Sequence, residues 1–446
     1  MPKKLFYSSL VAALGGLLFG FDTAVISGAE QDIKIVFDLD GFWHGFTNSI
    51  ALIGTIVGAV VSGRLGDYFG RRKSLIILAL FYFVSAIGSA MAGSWYFFLF
   101  YRFIGGLAVG VSSVIGPMYI SEISPARYRG RLVAMFQFNV VFGILVAFLS
   151  NYLINGLIEN QPWRWMLGVE ALPAIIFFAL LFTIPKSPRW LVKKNRSAEA
   201  KVVLESLMED DAGHLLTDIE TSLAKDRAGL KERLFSGKFN FPILLAFLLA
   251  TFNQFSGINA IMYYAPRIFA MTGMGKETAL LQVVIIGLTN MVFTLLAMSI
   301  IDRFGRKYLM KIGSIGMIFF LGMTAKTFYF QDFEGYATLV YLMGFIAFFA
   351  FSQGAVIWVF LSEIFPNSVR AQGQALGSLT HWFWAALLTW VFPVVAELNN
   401  GGAYAFTFFT VAMVLQLIFV IRVMPETKGK SLEELEKIIS KSTKPV

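Results

Sequence analysis

The segment Gly63-Arg-Leu-Gly-Asp67-Tyr-Phe-Gly70-Arg-Arg-Lys73 recurs in shorter form as Asp302-Arg-Phe-Gly305-Arg-Lys307, and both copies lie between long apolar runs. A second pair of segments, Ser121-Glu122-Ile-Ser-Pro125 and Ser362-Glu363-Ile-Phe-Pro366, follows at similar offsets. Two markers repeated in the same order, about 240 residues apart, indicate one structural unit used twice. Duplicated membrane units are typical of carriers, so the repeat predicts movement of a small molecule across a membrane.

The composition of the chain places it in a lipid bilayer. Of its 446 residues, 57% are hydrophobic and 15% are charged, whereas a soluble domain carries about a quarter charged residues. The apolar runs leave room for about twelve helices of about 20 residues, and helices are required because backbone polar groups in hydrocarbon must be satisfied internally. The predicted spans are residues 5–29, 44–66, 73–92, 95–120, 132–156, 164–184, 240–270, 279–301, 308–328, 336–361, 371–396 and 402–424.

The net charge of +9 is unevenly distributed over the loops. Lys and Arg recur in alternate loops and throughout the mixed-charge segment 186–238, whereas the opposite loops carry acidic residues and few basic ones. The acidic residues assigned to those opposite loops are Glu30, Asp32, Asp38, Asp40, Glu159, Asp332, Glu334 and Glu397. This asymmetry predicts that both termini and the segment 185–239 are cytoplasmic. It also argues against a nucleic-acid partner, because the basic residues follow membrane topology.

The predicted organisation has four parts. An N-terminal six-helix half (1–184) and a C-terminal six-helix half (240–424) flank a cytoplasmic linker (185–239), and a cytoplasmic tail (425–446) follows. The first apolar run is longer than a signal-peptide core and no cleavage site follows it, so we expect a retained helix. The chain has no cysteine, which excludes disulfides.

Three short segments outside the spans have helical patterns. Residues 198–208 and 215–228 combine helical periodicity with good helix formers, which predicts amphipathic helices in the linker. Ser431-Leu-Glu-Glu434 fits a capping box that opens a helix in the tail. A solvated loop is the alternative for each segment.

Over essentially its full length the chain resembles the sugar porters of the major facilitator superfamily. The motifs that carry the resemblance are Gly20-Phe-Asp22-Thr-Ala-Val-Ile-Ser-Gly28, Tyr101-Arg102, Pro185-Lys-Ser-Pro-Arg-Trp190, Gln254-Phe-Ser-Gly-Ile-Asn259, Trp358-Val-Phe-Leu-Ser-Glu-Ile-Phe-Pro366 and Pro425-Glu-Thr-Lys-Gly429. The resemblance implies an all-α membrane protein with the major facilitator fold, twelve transmembrane helices in two pseudo-symmetric six-helix halves. It also implies a monomeric proton/monosaccharide symporter of a bacterial inner membrane, similar to xylose and hexose symporters and more distantly to human facilitative glucose transporters.

Asp22 lies in the middle of the first apolar run, where an ionised carboxylate is costly and indicates a functional site. Arg102 is the only cationic side chain at comparable depth in the first half of the sequence. The resemblance implies that the two residues form the proton-coupling pair, which breaks when Asp22 is protonated. Facilitative relatives typically carry Asn at this position, so Asp favours symport. A permanent structural ion pair is the alternative.

A sugar site requires amides and indoles, because hydroxyls both donate and accept and indole faces stack on a pyranose. The resemblance implies that the substrate-binding residues are Gln137, Asn253, Gln254, Asn259, Asn290, Trp358, His381 and Trp382. It further implies that the seventh helix breaks at Gly257 and that Tyr263 and Tyr264 act as a gate. Hydrogen bonding between helices and plain aromatic packing are the alternatives.

Three residues depart from the family pattern. Asn253 stands where many sugar porters have Gln, and His381 stands where Gln or Asn usually precedes a tryptophan. His381 either binds sugar or adds pH dependence to transport, because imidazoles titrate near physiological pH; a satisfied packing histidine is the alternative. Lys186 replaces a Glu of the family motif and removes one acid from the charged network described next.

Charged residues of the repeated loop motifs are implied to form a cytoplasmic network that closes when such proteins face outward. Its predicted members are Arg64, Asp67, Arg71, Glu122, Arg129, Asp302, Arg306, Glu363 and Arg370. Solvated anchoring charge is the alternative, although it does not explain why the acidic members recur in both halves.

No cofactor or metal is expected, because the sequence has no Cys and its histidines, His44, His214 and His381, lie in separate predicted elements. An enzyme and an ATP-driven pump are therefore disfavoured, and no Walker-type loop occurs. The resemblance implies import of a hexose or pentose with a proton across the lipid bilayer. The alternatives are a facilitative uniporter in which Asp22 is structural and a membrane sugar sensor that does not transport.

Overall fold

The computed structural model describes residues 1–208, 212–228, 232–333, 335–366 and 368–429. Within these residues, 12 helical segments are long and apolar enough to cross a membrane. The protein is therefore a multi-pass membrane protein with 12 spans, and the predicted all-α membrane fold is confirmed.

The first six spans end close to the predicted boundaries. They are α1 (Lys3–Val36), α2 (Gly41–Phe69), α3 (Arg71–Met91), α4 (Trp95–Ile123), α5 (Ala126–Leu157) and the short pair α6 (Pro162–Gly168) and α7 (Ala171–Leu180). The main difference is α1, which continues seven residues beyond the predicted end at 29. The assignment of Glu30 and Asp32 to a loop was wrong, because Glu, Gln, Ile and Lys after Gly28 favour continuation of the helix.

The linker contains α8 (Pro188–Lys193), α9 (Ser197–Leu207) and α10 (Ala212–Ala228). The last two coincide with the predicted segments 198–208 and 215–228. The linker helices share a small apolar core formed by Leu191, Val192 and Ala200. The Ser187 hydroxyl caps α8 by accepting a hydrogen bond from the backbone N–H of Trp190. The predicted capping box at 431–434 lies outside the described residues.

The last six spans include two interrupted helices. They are α11 (Asn240–Phe255) with α12 (Ile258–Ala270), α13 (Lys276–Phe304), α14 (Arg306–Phe330), α15 (Ala337–Phe349) with α16 (Ala355–Glu363), α17 (Arg370–Ala396) and α18 (Gly401–Arg422). A π-helical turn, Ala350–Gly354, joins α15 to α16. Such turns widen the helical hydrogen-bond ladder and are frequent at functional sites.

The repeated loop motif reverses the chain at a glycine in each copy. Gly70 separates α2 from α3 with φ 83° and ψ 155°, and Gly305 separates α13 from α14 with φ 89° and ψ 161°. This region of backbone conformation is essentially restricted to glycine. A Cβ atom would lie 2.9 Å from Trp190 at Gly70 and 2.7 Å from Glu426 at Gly305. The repeat therefore specifies the same reversal between two helices twice. In each copy a residue from later in the chain, Trp190 or Glu426, packs against the glycine.

Small residues allow α2 and α4 to approach closely. A Cβ atom at Gly58 would lie 2.4 Å from the Leu107 carbonyl oxygen, and one at Gly106 would lie 2.0 Å from that of Ala51. Backbone contact of this kind is typical of helix pairs in membranes, where van der Waals packing replaces the hydrophobic effect.

The chain divides into two compact units. The first comprises Met1–Ala29 and Ile50–Gly229, and the second comprises Glu30–Ser49 and Leu230–Val446. Leu75, Tyr82, Ile115 and Phe177 are among the core residues of the first unit. Leu245, Phe360, Phe365 and Val420 are among those of the second. The end of α1 and the start of α2 therefore pack with the second unit, whereas the sequence-based division follows chain order.

Candidate functional site

Asp22 and Arg102 form a buried ion pair that links α1 to α4. The Arg102 Nη1 atom lies 2.6 Å from Asp22 Oδ1, and Nη2 donates to the Asp22 backbone carbonyl at 3.2 Å. The two residues are 1% and 2% exposed. The structure thus brings together the two residues that the sequence singled out for proton coupling.

A second carboxylate joins this pair. Glu170 lies between α6 and α7, is 1% exposed, and interacts electrostatically with both Asp22 and Arg102. Among the described residues its Oε1 atom has no hydrogen-bond partner. Tyr82, fully buried on α3, also lies beside the two carboxylates. The cluster therefore combines two carboxylates with one guanidinium.

Sequence analysis missed Glu170, although a usable signal was present. The residue falls inside the predicted span 164–184, and an ionisable side chain in a membrane helix indicates a functional site by default. The rule that selected Asp22 selects Glu170 as well.

Four polar side chains of the second unit form one hydrogen-bonded cluster around Gln254. Gln254 Oε1 accepts from Asn259 Nδ2 at 2.7 Å, and Gln254 Nε2 donates to Asn253 Oδ1 at 3.0 Å. The same Nε2 atom lies 3.2 Å from both ring nitrogens of His381 on α17. Both departures from the family pattern, Asn253 and His381, thus contact the same glutamine.

Two indoles flank this cluster. The Trp358 ring lies 5.0 Å from the His381 ring at an interplanar angle of 55°, and the Trp382 ring lies 4.9 Å from it at 86°. Trp358 is 39% exposed, whereas Trp382 is 6% exposed. Six of the eight predicted substrate-binding residues therefore come together: Asn253, Gln254, Asn259, Trp358, His381 and Trp382.

The other two predicted substrate-binding residues occupy separate helices. Asn290 is 7% exposed on α13 of the second unit. Gln137 is half-buried on α5 of the first unit.

The seventh span breaks at Gly257, where φ is 83° and ψ is 10°. Seven residues later, Tyr264 has a non-helical backbone inside α12. Its hydroxyl donates to the Thr389 carbonyl at 2.8 Å and accepts from Asn48 Nδ2 at 3.1 Å. Tyr263 is 1% exposed. The Tyr264 hydroxyl therefore ties α12 to α17 and to the start of α2.

A buried carboxylate–imidazole pair lies near Tyr264 and was not anticipated from the sequence. His44 Nε2 is 2.8 Å from Glu30 Oε2, and the residues are 0% and 1% exposed. Gln31 Nε2 donates to both Glu30 oxygens at 2.8 and 2.9 Å. The His44 ring lies 6.0 Å from the Tyr264 ring. The extension of α1 explains why Glu30 is buried.

The repeated loop motifs form a similar group of charged and hydroxyl side chains in each unit, here called the loop cluster. In the first, Arg71 Nη2 is 2.8 Å from Glu122 Oε1 and Arg71 Nη1 is 3.1 Å from Asp67. The Ser187 hydroxyl donates to the second Glu122 oxygen at 2.5 Å. In the second, Arg306 Nη2 is 2.8 Å from Glu363 Oε1, and the Thr427 hydroxyl donates to Glu363 Oε2 at 2.6 Å.

The remaining predicted network members have other roles. Arg129 donates to the Ser124 carbonyl and Arg370 to the Phe365 carbonyl, both at 3.3 Å. These carbonyls lie just beyond helix ends, where cationic side chains are favoured. Arg64 is exposed, and the side chain of Asp302 lies outside the described residues.

Comparison with known proteins places this arrangement in a family. A family model described as "Sugar (and other) transporter" matches residues 8–439. The D-xylose-proton symporter of Escherichia coli K12 is 38% identical over 479 residues, covering 99% of this chain and 96% of the relative. The arabinose-proton symporter of Bacillus subtilis 168 is 40% identical over 440 residues, covering 96% and 94%.

A solved structure agrees with these relatives. The inward-open conformation of the xylose transporter XylE from E. coli matches with a TM-score of 0.87 and 36% identity, covering 97% of this chain and 99% of the other. Because the family model and the relatives span nearly the whole chain, the protein belongs to the Sugar (and other) transporter family and is a transporter rather than an enzyme.

Proposed function

We propose that this protein is a secondary active transporter that imports a monosaccharide, a hexose or a pentose, together with a proton by alternating access. The observation that carries the proposal is the buried cluster of Asp22, Arg102 and Glu170. The relatives named as proton symporters of xylose and arabinose support the same chemistry and favour a pentose.

The charge of the cluster gives a reason for proton uptake. With both carboxylates ionised, two negative charges face one guanidinium in a buried site, and an uncompensated buried charge costs several kcal/mol. Arg102 cannot give up its proton in any accessible pH range, so the incoming proton must bind a carboxylate. Protonation of Asp22 weakens its bond to Arg102, which loosens the link between α1 and α4 and permits rearrangement.

The sugar site is the polar cluster around Gln254 with its two indoles. Amides and the imidazole donate to or accept from hydroxyls, and an indole face stacks on the C–H face of a pyranose. Asn290 contributes a further amide, and Gln137 of the first unit is proposed as an additional substrate-binding residue. The break at Gly257, together with Tyr263 and Tyr264, forms the gate over the sugar.

The loop clusters form the cytoplasmic network, in a monomer that lies in a bacterial inner membrane with both termini in the cytoplasm. The supporting observation is the concentration of Lys and Arg in 186–238 and in the repeated loop motifs.

Uptake into proteoliposomes tests the proposal. Wild type and Asp22→Asn are compared with and without an inward proton gradient, using xylose, arabinose, glucose, galactose, fructose and mannose. Wild type should accumulate at least one sugar above equilibrium, whereas the variant should only equilibrate or exchange it. Asp218→Asn is the matched control, because Asp218 is an exposed carboxylate in the linker. Equilibration without gradient-driven accumulation would establish a facilitator instead, and no uptake of any sugar would overturn the proposal.

A further inference from the structure

Glu30 and His44 form a buried titratable pair that the proposed mechanism does not use. Glu30 lies in the last two turns of α1 and His44 lies in the first turn of α2, and their side chains are 1% and 0% exposed. His44 Nε2 is 2.8 Å from Glu30 Oε2 and 3.0 Å from the Glu30 backbone carbonyl oxygen. The pair therefore joins the two helices where the chain passes from α1 to α2.

The hydrogen bonds of this pair indicate how many protons it holds. His44 Nε2 faces two oxygens, so this nitrogen carries a proton and donates it. Among the residues that the structure describes, the buried Nδ1 atom has no hydrogen-bond partner. A lone pair at Nδ1 costs less than the N–H group of a cationic ring, because an unpaired buried donor is most costly when it is charged. The geometry therefore fits a neutral imidazole beside an ionised carboxylate.

A further proton is poorly accommodated in this arrangement. On His44 Nδ1 it would form a buried N–H group without a described acceptor. On Glu30 it would compete with the Gln31 amide, whose Nε2 atom donates to both carboxylate oxygens at 2.8 and 2.9 Å. Either position leaves one buried donor unsatisfied, whereas water would satisfy it. Proton uptake therefore opposes the packed arrangement and favours a state in which the pair meets water.

The neighbouring charges are paired with each other and partly exposed. Asp32 on α1 lies 2.9 Å from Lys276 on α13, and Lys34, one turn after Glu30, lies 2.5 Å from Glu397 on α17. Arg267 on α12 is 3.7 Å from the same Glu397 oxygen, and its positive charge opposes proton uptake nearby. Exposed ion pairs contribute little to stability. The buried pair is therefore the member of this group whose protonation should change packing most.

Contacts on α2 connect the buried pair to α12 and α17. Asn48 lies one turn after His44, and its amide donates to the Tyr264 hydroxyl at 3.1 Å. That hydroxyl retains its own proton, because it donates to the Thr389 carbonyl at 2.8 Å. The Asp40 carboxylate caps the first turn of α2. A shift of α2 at His44 would therefore break the bond from Asn48 to Tyr264.

We propose that Glu30 and His44 are a second proton-binding site, in addition to the Asp22 cluster, and that its protonation releases the joined ends of α1 and α2 from α12 and α17. The ligand is a proton from the side of the membrane on which these ends lie, the non-cytoplasmic side in the proposed topology. The inference rests on the proposed function only for that side. Release increases as pH falls, because the released state binds the additional proton more tightly.

Pulsed electron double resonance between two spin labels measures the release. The chain has no cysteine, so labels attached at Ile35→Cys and Tyr336→Cys report on these positions alone. Ile35 is 76% exposed in the last turn of α1, and Tyr336 is 71% exposed just before α15. The labelled full-length protein is measured in lipid nanodiscs between about pH 8 and pH 5, the range in which an imidazole titrates.

The ratio of the longer-distance to the shorter-distance population should rise about tenfold as pH falls across this range. His44→Gln keeps an amide donor for Glu30 but does not titrate, so this variant should show no rise. The double variant Glu30→Gln/His44→Gln should also show none, and it pairs two neutral amides, which keeps the test available where the single change disturbs folding. His214→Gln, at a histidine 81% exposed in the linker, is the matched control and should keep the rise.

Asp22→Asn should keep the rise as well, because the second site titrates independently of the Asp22 cluster. A rise of wild-type size in the non-titrating variants, its loss in Asp22→Asn, or a constant ratio in wild type would each overturn the proposal. The distance measurement requires no sugar, so an absence of sugar uptake contradicts the proposed function and not the second proton site.

Discussion

Glu426 and Lys186 occupy corresponding positions in the two copies of the loop cluster, but their side chains have opposite charge. Glu426 directly precedes Thr427, whose hydroxyl donates to Glu363. Lys186 directly precedes Ser187, whose hydroxyl donates to Glu122. Glu426 accepts hydrogen bonds from the backbone N–H groups of Arg306 and Lys307 at 3.0 Å, at the start of α14. Lys186 is instead 3.6 Å from Glu199 of the linker.

Lys186→Glu should stabilise the protein. A carboxylate beside the start of α3 would reproduce the cap that Glu426 provides at α14, and such caps contribute about 1 kcal/mol. The Lys186–Glu199 pair that would be lost is about half exposed and contributes little. Thermal unfolding in detergent should show a midpoint about 1–3 °C above wild type. Lys186→Gln is the control, and an equal shift in both variants would show that loss of the positive charge, not capping, is responsible.

The contribution of Glu426 should depend on pH. Burial raises the pKa of this carboxyl, but backbone N–H donors of Lys428, Arg306, Lys307 and Thr427 lower it more, so its pKa lies below the ordinary value. A lowered pKa in the folded state stabilises above the unfolded pKa, and this stabilisation is lost as pH falls through the folded pKa. Glu426→Gln should therefore unfold at lower temperature than wild type at pH 7, and the gap should close below about pH 4. A gap that stays constant between pH 7 and 3.5 would contradict this account.

Helix existence was predictable from the sequence because membrane helices leave long uncharged runs, and the broken seventh span was signalled by Gly257. The end of α1 was not predictable, because Glu30 and Asp32 resemble loop residues in the sequence. Their partners, His44 and Lys276, are known only from the structure. A charged residue in a sequence can belong to a loop or to a helix, and the position of its partner is needed to decide which.

Pairing within the two loop clusters was partly predictable, because Arg71 and Arg306 were expected members of the network, but the sequence did not specify which acid each one binds. Arg129 and Arg370 each follow a glutamate by seven residues, yet Arg71 and Arg306 bind the two glutamates. Spacing along the sequence favours the local partner, whereas the reversals at Gly70 and Gly305 bring the distant arginine closer. Such contacts depend on tertiary packing, which a single sequence does not specify.

Arg102→Met should destabilise the protein far more than Asp22→Asn. The first change leaves two buried carboxylates without their guanidinium, and removal of one partner from a buried pair costs about 3–5 kcal/mol. The second keeps an amide oxygen that still accepts from Arg102, so about 1 kcal/mol is expected. Thermal unfolding of each variant measures the difference. Arg131→Met, at an exposed arginine of α5, should change little, and similar losses in all three variants would refute the ranking.

Gly257→Ala should impair both stability and transport, whereas Gly273→Ala should cause a smaller loss. The two glycines have nearly the same positive φ, 83° and 85°, so a side chain would meet an unfavourable φ at both positions. A Cβ atom at Gly257 would lie 2.4 Å from Phe409, but nothing lies within 4 Å at Gly273. The strain alone costs about 1–3 kcal/mol, and the steric overlap at Gly257 adds to it. Unfolding temperatures and sugar uptake should separate the two variants, and equal losses would show that the contact with Phe409 relaxes freely.

The buried pair of Glu30 and His44 should show strong thermodynamic coupling. Of the side chains that the structure describes, His44→Phe leaves only the Gln31 amide as a donor to the Glu30 carboxylate, which should cost about 3 kcal/mol. Glu30→Gln leaves a neutral amide beside the imidazole and should cost less. Within the described residues His44 Nδ1 has no hydrogen-bond partner, so burial of this imidazole nitrogen destabilises the wild-type protein.

The double variant Glu30→Gln/His44→Phe should therefore be more stable than the sum of the single losses predicts, by about 1–2 kcal/mol. Denaturant or thermal unfolding of all four proteins in one detergent gives this coupling energy. His214→Phe/Asp218→Asn is the matched cycle, because that pair is 81% and 61% exposed and should couple by less than about 0.5 kcal/mol. Additive losses at Glu30 and His44 would show that the two side chains are stabilised by their separate surroundings and not by each other.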